Sequence, residues 1–487
     1  MNYALGVDFG GGASKATLID ENGKVIATAT SEYSTFYGED GKAEQNPIDW
    51  YESACKNIRS VLKGIEVCNV KCVCFDAATH TAVLLDEQGN PVCDAVYWTD
   101  TRSVKEKEYL KNNFGQEIFD KCKHEVDTIW SLPEIMFVKN NYPNVFSKVK
   151  KVTFAKDFVR GKFTGDFVTD YIEAQGSMLF DFDTHKWDEK LLSLVGLNES
   201  NMPKVVNPLD VVGYVNSTSA KESGLKEGTP VICGSTDTVM EVFSAGAVNT
   251  GDMTLKLATA GRICIVSDKY VADKNIINYS HLKEGLYYPG SATKSCASSL
   301  RWFRDNFGGD FEEFSSIAST VSIGADGLMF HPYLVGELTP YASPTIRGSF
   351  TGVSAMHTKA HFIRAVMEGV AMSLLDCITY LTEKGIKIGS SAIAIGGGAK
   401  SDVWRQIVAD ALGITLITTE RNDSSFGSAM CAGINAGFFK DFDDAKSKCL
   451  KVTGKTEPIA QNTEKYRKSY IRYKKISNFL MELANEK

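Results

Sequence analysis

The sequence has no surplus of basic charge. Its 53 Lys and Arg are outnumbered by 60 Asp and Glu, for a net charge of −7, and they form no concentrated run before the C-terminal end. A phosphate-backbone footprint is excluded on that ground, so nucleic acid is not an expected partner. No apolar run approaches a membrane span. The chain opens directly into the apolar residues 3–8, with no basic flank and no signal-type core, which leads us to expect a cytoplasmic protein. Cys72-Val-Cys74 has no second pair at zinc spacing and no histidine beside it. The twelve cysteines, spread from Cys55 to Cys449, therefore read as reduced, mostly buried thiols. Two nucleotide signatures are also missing: there is no P-loop, and no dinucleotide fingerprint leading from a strand into a helix.

What is present suits a large globular protein. At 487 residues the chain is too long for one core, so two or more domains are expected. Hydrophobic residues at 43 % and charged residues at 23 % are ordinary proportions. Residues 3–8 read as a buried strand, Phe9-Gly10-Gly11-Gly12-Ala13 as a tight turn, and 14–20 and 25–33 as further strands. Glycines in a strand–turn–strand leave backbone N–H groups able to meet phosphate oxygens, although such a hairpin is often only a turn. The pattern recurs in the second half, where 254–258 runs through Thr259-Ala-Gly261 into 262–267. Two such hairpins suggest a duplicated α/β domain, divided here as 1–248 and 249–487, with a cleft between the copies.

Near the seam, the apolar residues 229–233 read as a buried strand that delivers Gly234-Ser-Thr-Asp237-Thr-Val. Ligands of open α/β sheets bind at the carboxyl ends of strands. Asp237 is thus a candidate catalytic base, with a simple helix cap as the competing role. Thr79, His80, Trp98, Asp100 and Arg102 gather at other strand ends, an aromatic face beside hydroxyl-binding groups that suits a polyol. A satisfied core histidine accounts for His80 equally well. Residues 392–395 form a buried strand running into Gly396-Gly397-Gly398-Ala399, before a helix that starts at Asp402, a place where nucleotides are often held. Residues 117–150 are expected to be helical with an interruption at Leu132-Pro133, 196–213 to be loop-rich, and 465–487 to be a docked terminal helix.

These residues resemble the FGGY family of carbohydrate kinases, most closely its xylulokinases. The most specific stretch is Gly348-Ser-Phe-Thr-Gly352-Val353, followed after seven residues by His361-Phe-Ile-Arg-Ala-Val-Met-Glu368. Ala43-Glu-Gln45 before Trp50, Trp98-Thr-Asp-Thr-Arg102, Lys156-Asp157, 164–171, Gly336-Glu-Leu-Thr-Pro340 and Gly396-Gly-Gly-Ala-Lys-Ser401 add to it in order. The resemblance implies two actin-like, ribonuclease-H-like domains. The first would be the sugar-binding domain with the catalytic Asp, the second the nucleotide-binding domain. It implies transfer of the ATP γ-phosphoryl group, with Mg²⁺, to a primary hydroxyl of a pentulose, best D-xylulose giving D-xylulose 5-phosphate. Asp237 would be the base and Asp8 the acid at the metal–phosphate end. Gly10, Gly11, Gly12, Ser14 and Lys15 would form the first phosphate hairpin, Thr259 and Gly261 the second, and Gly397, Gly398 and Ala399 the adenine-nucleotide loop. Thr79, His80 and Thr238, with the Trp98 to Arg102 cluster, would contact sugar. A homodimer is a family expectation.

The chain also departs from the family pattern. The usual Asp-x-Gly-Thr reads Asp8-Phe-Gly10-Gly11, and Gly-Thr-Ser-Gly reads Ala258-Thr259-Ala260-Gly261. Gln-Met-His-Gly reads Ala78-Thr79-His80-Thr81, and the Asp-Asn pair reads Asp237-Thr238. These changes keep other acceptors in view (another ketose, a gluconate-like acid, an erythritol-type polyol). They also keep in view a catalytically weak sugar- and nucleotide-binding relative.

Overall fold

Strand β1, Tyr3–Phe9, is a nearly continuous buried run, and such strands lie inside sheets covered on both faces. It pairs antiparallel with β2 (Ala13–Asp20), which pairs antiparallel with β3 (Val25–Glu32). On its other side β1 runs parallel to β4 (Val70–Ala77). Two later strands, β5 (Val211–Tyr214) and β6 (Pro230–Ile232), complete a six-stranded sheet in the order β5-β6-β4-β1-β2-β3. Only the outermost pairing on that side, β5 with β6, is antiparallel.

The second half repeats this plan. Strands β7 (Met253–Leu257), β8 (Gly261–Ile265) and β9 (Gly290–Thr293) form an antiparallel run. Strand β10 (Ser391–Ile395) then joins β7 in parallel, β11 (Thr415–Thr419) joins β10 in parallel, and β12 (Val452–Thr456) closes the edge antiparallel. The order β9-β8-β7-β10-β11-β12 matches the first sheet strand for strand. One detail of connection differs: the antiparallel edge strand precedes its neighbour in the first sheet and follows it in the second. The duplicated hairpins read from the glycine turns are therefore the first two strands of two equivalent sheets.

This computed structural model describes residues 1–486, which fall into two compact units. The first contains Met1–Ser244, Tyr279–Glu284 and Arg421–Leu450; the second contains Ala245–Asn278, Gly285–Glu420 and the chain from Lys451 onward. Compactness thus assigns residues 421–450 to the first unit, where division of the chain at 248 puts them with the second half. The reason is the helix Ser424–Asn435, which lies across β1. A Cβ on Gly6 would stand 2.1 Å from the Ser425 carbonyl oxygen and 2.3 Å from the Ala429 nitrogen, so only glycine admits this approach. Gly427 does the same against Met240 of the helix Asp237–Ser244, at 2.2 Å. Both neighbours are backbone and cannot rotate away. Gly6→Ala is accordingly expected to destabilise the first unit by about 3 kcal/mol, read as a shift in the urea midpoint at unchanged slope.

Local chemistry explains where elements depart from expectation. The stretch expected as one helix interrupted at Leu132-Pro133 is three, Val104–Cys122, Ser131–Asn141 and the short Pro143–Phe146, and the main break falls earlier, at 123–130. Lys123 in the left-handed conformation ends the first, and Pro133 lies in the first turn of the second, where a missing N–H costs nothing. The loop-rich segment leads into β5, and the terminal helix starts at Ala460 rather than 465. All twelve cysteines are free and ten are buried. Among the described residues, no helix is long and apolar enough to cross a membrane.

Candidate active site

In the first unit, β6 ends at Ile232, and after four intervening residues Asp237 opens the helix Asp237–Ser244. Gly234 makes this sharp connection possible: its φ is +72°, and a Cβ there would lie 1.9 Å from the Phe75 carbonyl oxygen. Asp237 stands half-buried in the first turn. Its Oδ1 accepts hydrogen bonds from the hydroxyls of Thr79 at 3.3 Å and Thr238 at 3.2 Å. The structure thus brings together three of the residues predicted from sequence.

Asp8 lies on β1 directly across from Asp76 on β4 and Lys15 on β2. Asp8 Oδ1 is buried with no hydrogen-bond partner. Burial pushes the Asp8 carboxyl up to about 7; a hydrogen bond with Asp76 works against the rise, and the Asp237 charge adds to it. Asp76 is driven well above the carboxylate range, first by burial and then by Asp8. Two carboxylates so placed resist being ionised together. Ser428 Oγ donates to Asp76 Oδ2 at 2.5 Å. Asp76 was not singled out by the sequence reading, although a second acid at the end of a parallel strand was visible there. Lys15 forms an ion pair with Asp423, at 2.9 Å, at the head of the helix Ser424–Asn435.

The glycine hairpin is braced from within. Gly10 O accepts from the Tyr33 hydroxyl at 2.5 Å, and Gly11 O accepts from Thr35 Oγ1 at 2.6 Å and Gln45 Nε2 at 3.0 Å. Trp50 Nε1 in turn donates to Gln45 Oε1 at 3.0 Å. A trans peptide opposes its C=O and N–H, so carbonyls held inward turn the Gly11 and Gly12 N–H groups outward. Both residues are exposed, and the position of a Gly12 Cβ is open space. Ser14 is different: it is fully buried, and its Oγ accepts from Asn57 Nδ2 at 2.7 Å, so it supports the turn from beneath.

The other residues expected from sequence at the sugar separate into two groups. His80 has φ +54°, its N–H donates to Glu173 Oε1 at 2.5 Å, and its carbonyl accepts from Ser131 Oγ at 2.6 Å. Its ring packs 4.9 Å from that of Trp130, which stacks on His124 at 4.7 Å. Trp98 is 42 % exposed and offers an aromatic face. Asp100 and Arg102 instead form a clamp. Asp100 accepts from Ala43 N–H at 2.8 Å and from Arg102 Nε at 2.9 Å, while Arg102 Nη2 reaches Glu44 at 2.6 Å. These two hold the Ala43–Gln45 strand and keep the Gln45 brace in place.

His124 is buried, with Nε2 unpartnered, and burial lowers its pKa from 6.5 to about 4. The unfolded chain therefore binds a proton that the fold refuses between those values, so stability is lost as pH falls through that window. The contribution is about 3 kcal/mol. His124→Phe is expected to remove it, flattening the urea-unfolding free energy between pH 7 and pH 4 relative to the parent.

In the second unit a pocket of ≈ 380 Å³ opens beside the second hairpin. Leu257, Leu300, Phe311, Met367 and Trp404 give it an apolar floor. Thr259, Arg301, Gly397 and Gly398 supply polar edges, with Arg301 Nη2 donating to Thr259 Oγ1 at 3.3 Å. An apolar slot of this size with few polar groups suits a planar base. A Cβ on Gly398 would lie 2.7 Å from the Trp404 ring, whereas Gly397 faces open space. Gly261 is a packing glycine, 2.8 Å from Thr293 by the same measure, and Ala399 is buried. Sequence reasoning found the glycines but not Arg301 or Phe311, which arrive from separate helices.

Duplicated sheets with glycine hairpins, an acid at a strand end and an apolar pocket are the arrangement expected of an enzyme that transfers a phosphoryl group from a nucleotide. Comparison with known proteins agrees. Residues 3–244 match the N-terminal domain and residues 259–436 the C-terminal domain of the FGGY family of carbohydrate kinases. The chain belongs to that family and is an ATP-dependent sugar kinase. It is 30 % identical over 490 residues to a xylulose kinase of Bacillus subtilis, covering 99 % of this chain and 98 % of that one. It is 29 % identical to a gluconokinase of Bacillus licheniformis, covering 96 % and 94 % respectively. The solved xylulose kinase of Rhodospirillum rubrum superposes with a TM-score of 0.93 at 25 % identity, covering 99 % and 100 %.

Proposed function

We propose that the enzyme phosphorylates the primary hydroxyl of a pentulose, D-xylulose to D-xylulose 5-phosphate, with Asp237 as general base. The observation that carries this reading is the Asp237 carboxylate at the strand end, oriented by the Thr79 and Thr238 hydroxyls. A carboxylate so held takes the proton as the hydroxyl attacks phosphorus. Thr79, Thr238, His80 and the exposed face of Trp98 contact the sugar; Asp100 and Arg102 stand behind them. A neutral acceptor is favoured over a sugar acid because Arg102, the cation of the cluster, is already matched by Asp100 and Glu44. The gluconokinase relative makes a sugar acid the second reading.

In the second unit, ATP is read into the apolar pocket beside Thr259, Gly397 and Gly398. In the first unit, taken by itself, the outward N–H groups of Gly11 and Gly12, with Lys15, are read as a phosphate-binding turn. The residues present fit Mg²⁺ in one respect: Asp8 carries a buried carboxylate oxygen with no partner, the hard donor this ion prefers. Among the described residues no group of three His, Cys, Asp or Glu is placed to hold an ion alone. Asp8 would therefore hold it together with phosphate oxygens, where Mg²⁺ supplies charge neutralisation. The reduced thiols are in keeping with a cytoplasmic setting.

The test is ADP release over a panel of ketoses, polyols and sugar acids. Preferred turnover on D-xylulose is the expected result. Preference for gluconate moves the reading to the sugar acid, and no turnover on any acceptor overturns the enzyme's assignment to this class of substrates.

A further inference from the structure

The loop that carries Asp237 is four residues long, and each residue is held from beneath. Cys233 O accepts from Arg160 Nη1 at 2.8 Å, and the Gly234 N–H donates to Pro208 O at 2.9 Å. Thr236 bridges in parallel to Ala77. Ser235 is held through its side chain: its Oγ donates to Asp170 Oδ1 at 2.8 Å, and both residues are wholly buried.

Asp170 takes three hydrogen-bond donors on Oδ1 and an ion pair, without a hydrogen bond, on Oδ2. The same Oδ1 caps the helix Tyr171–Gly176, accepting from the N–H of Ile172 at 3.0 Å and of Glu173 at 3.3 Å. Its Oδ2 lies 2.9 Å from Lys156 Nζ. Lys156 also pairs with Asp157 at 2.5 Å, and Asp157 with Arg160 at 2.6 Å, all without exposed side-chain surface. Two cations and two anions are paired in this cluster. The helix capped by Asp170 carries Glu173, which accepts the N–H of His80 in its left-handed turn. One carboxylate is thus the common anchor of the turn bearing Thr79 and His80 and of the loop bearing Asp237.

Buried ionic groups are a weak stability device compared with apolar packing. Their use here is geometric. An ångström of misplacement at a reacting group costs about 10²-fold in rate. We infer that Asp170 and Ser235 are positioning residues, which fix the Asp237 carboxylate relative to the Thr79 and His80 turn through the Ser235 hydroxyl. This inference rests on the reading of Asp237 as the base.

The full-length enzyme is assayed with Mg²⁺, ATP and the acceptor of highest turnover in the panel. Ser235→Ala removes one hydroxyl and leaves Asp170 its two backbone donors and Lys156. The expected result is a fall in kcat of about 30- to 100-fold, with both KM values within about twofold of the parent. In an Asp237→Asn background the same substitution should cost less than about threefold more, since no base remains to be misplaced. An unchanged kcat in Ser235→Ala overturns the inference. So does an equal loss in both backgrounds, or a loss carried by KM. Full activity of Asp237→Asn alone identifies a different failure: the base reading falls, and this inference with it.

Discussion

Asp237→Asn is expected to lower kcat by about 10²–10⁴-fold while the acceptor KM moves by no more than about a few-fold. A primary hydroxyl is barely ionised near neutral pH, so its proton must leave as the bond to phosphorus forms. Asparagine keeps the volume of the side chain, and its Oδ1 can still accept from Thr79 and Thr238. The geometry then persists while the proposed proton acceptor is lost, which is why the effect falls on kcat. Turnover should not vanish altogether, because positioning and charge neutralisation supply the larger part of phosphoryl-transfer catalysis. Steady-state ADP release at saturating ATP separates the two parameters. Parent-like kcat in the variant would remove Asp237 from the chemistry.

Lys156→Met is expected to be the most damaging single change to stability, at about 3–5 kcal/mol. The Lys156 ammonium has no exposed surface and sits between Asp157 and Asp170. Burial opposes its charge, yet the two carboxylates outweigh that opposition and raise its pKa. Methionine fills the same space but leaves the buried cluster with one uncompensated negative charge. The thermal midpoint should fall by roughly 10 °C for a unit of this size, and the parent and variant should keep similar denaturant slopes. A midpoint within about a degree of the parent would mean that the cluster is reached by water and that its charges are screened.

Local features were legible in the sequence, and pairings across the chain were not. The glycine hairpins could be read because turn chemistry and strand alternation are written in consecutive residues. Asp237 could be placed at a strand end for the same reason. Asp76 escaped notice because its meaning lies in its register with Asp8, 68 positions earlier in the chain, as read from the pairing of β1 with β4. Lys156-Asp157 and Asp170 were visible as family motifs, but nothing in their spacing announces Ser235 as a partner. Arg301 and Phe311 reach the apolar pocket of the second unit from helices whose own patterns show only amphipathicity. Asp100 and Arg102 illustrate the converse: polar residues at a strand end, correctly located, whose groups are spent on one another and on the neighbouring strand.

The docking of the helix Ser424–Asn435 onto β1 has a consequence for biosynthesis. Thr17 and Ser425, whose hydroxyls meet at 2.7 Å, are 408 residues apart in the chain. At a typical elongation rate of about 5–20 residues per second, β1 and β2 leave the ribosome roughly 20–80 s before their covering helix is made. Through that interval the nascent first half carries an uncovered apolar sheet face of the kind that chaperones bind. The first unit is therefore completed only after a helix 408 residues downstream of β2 has been translated.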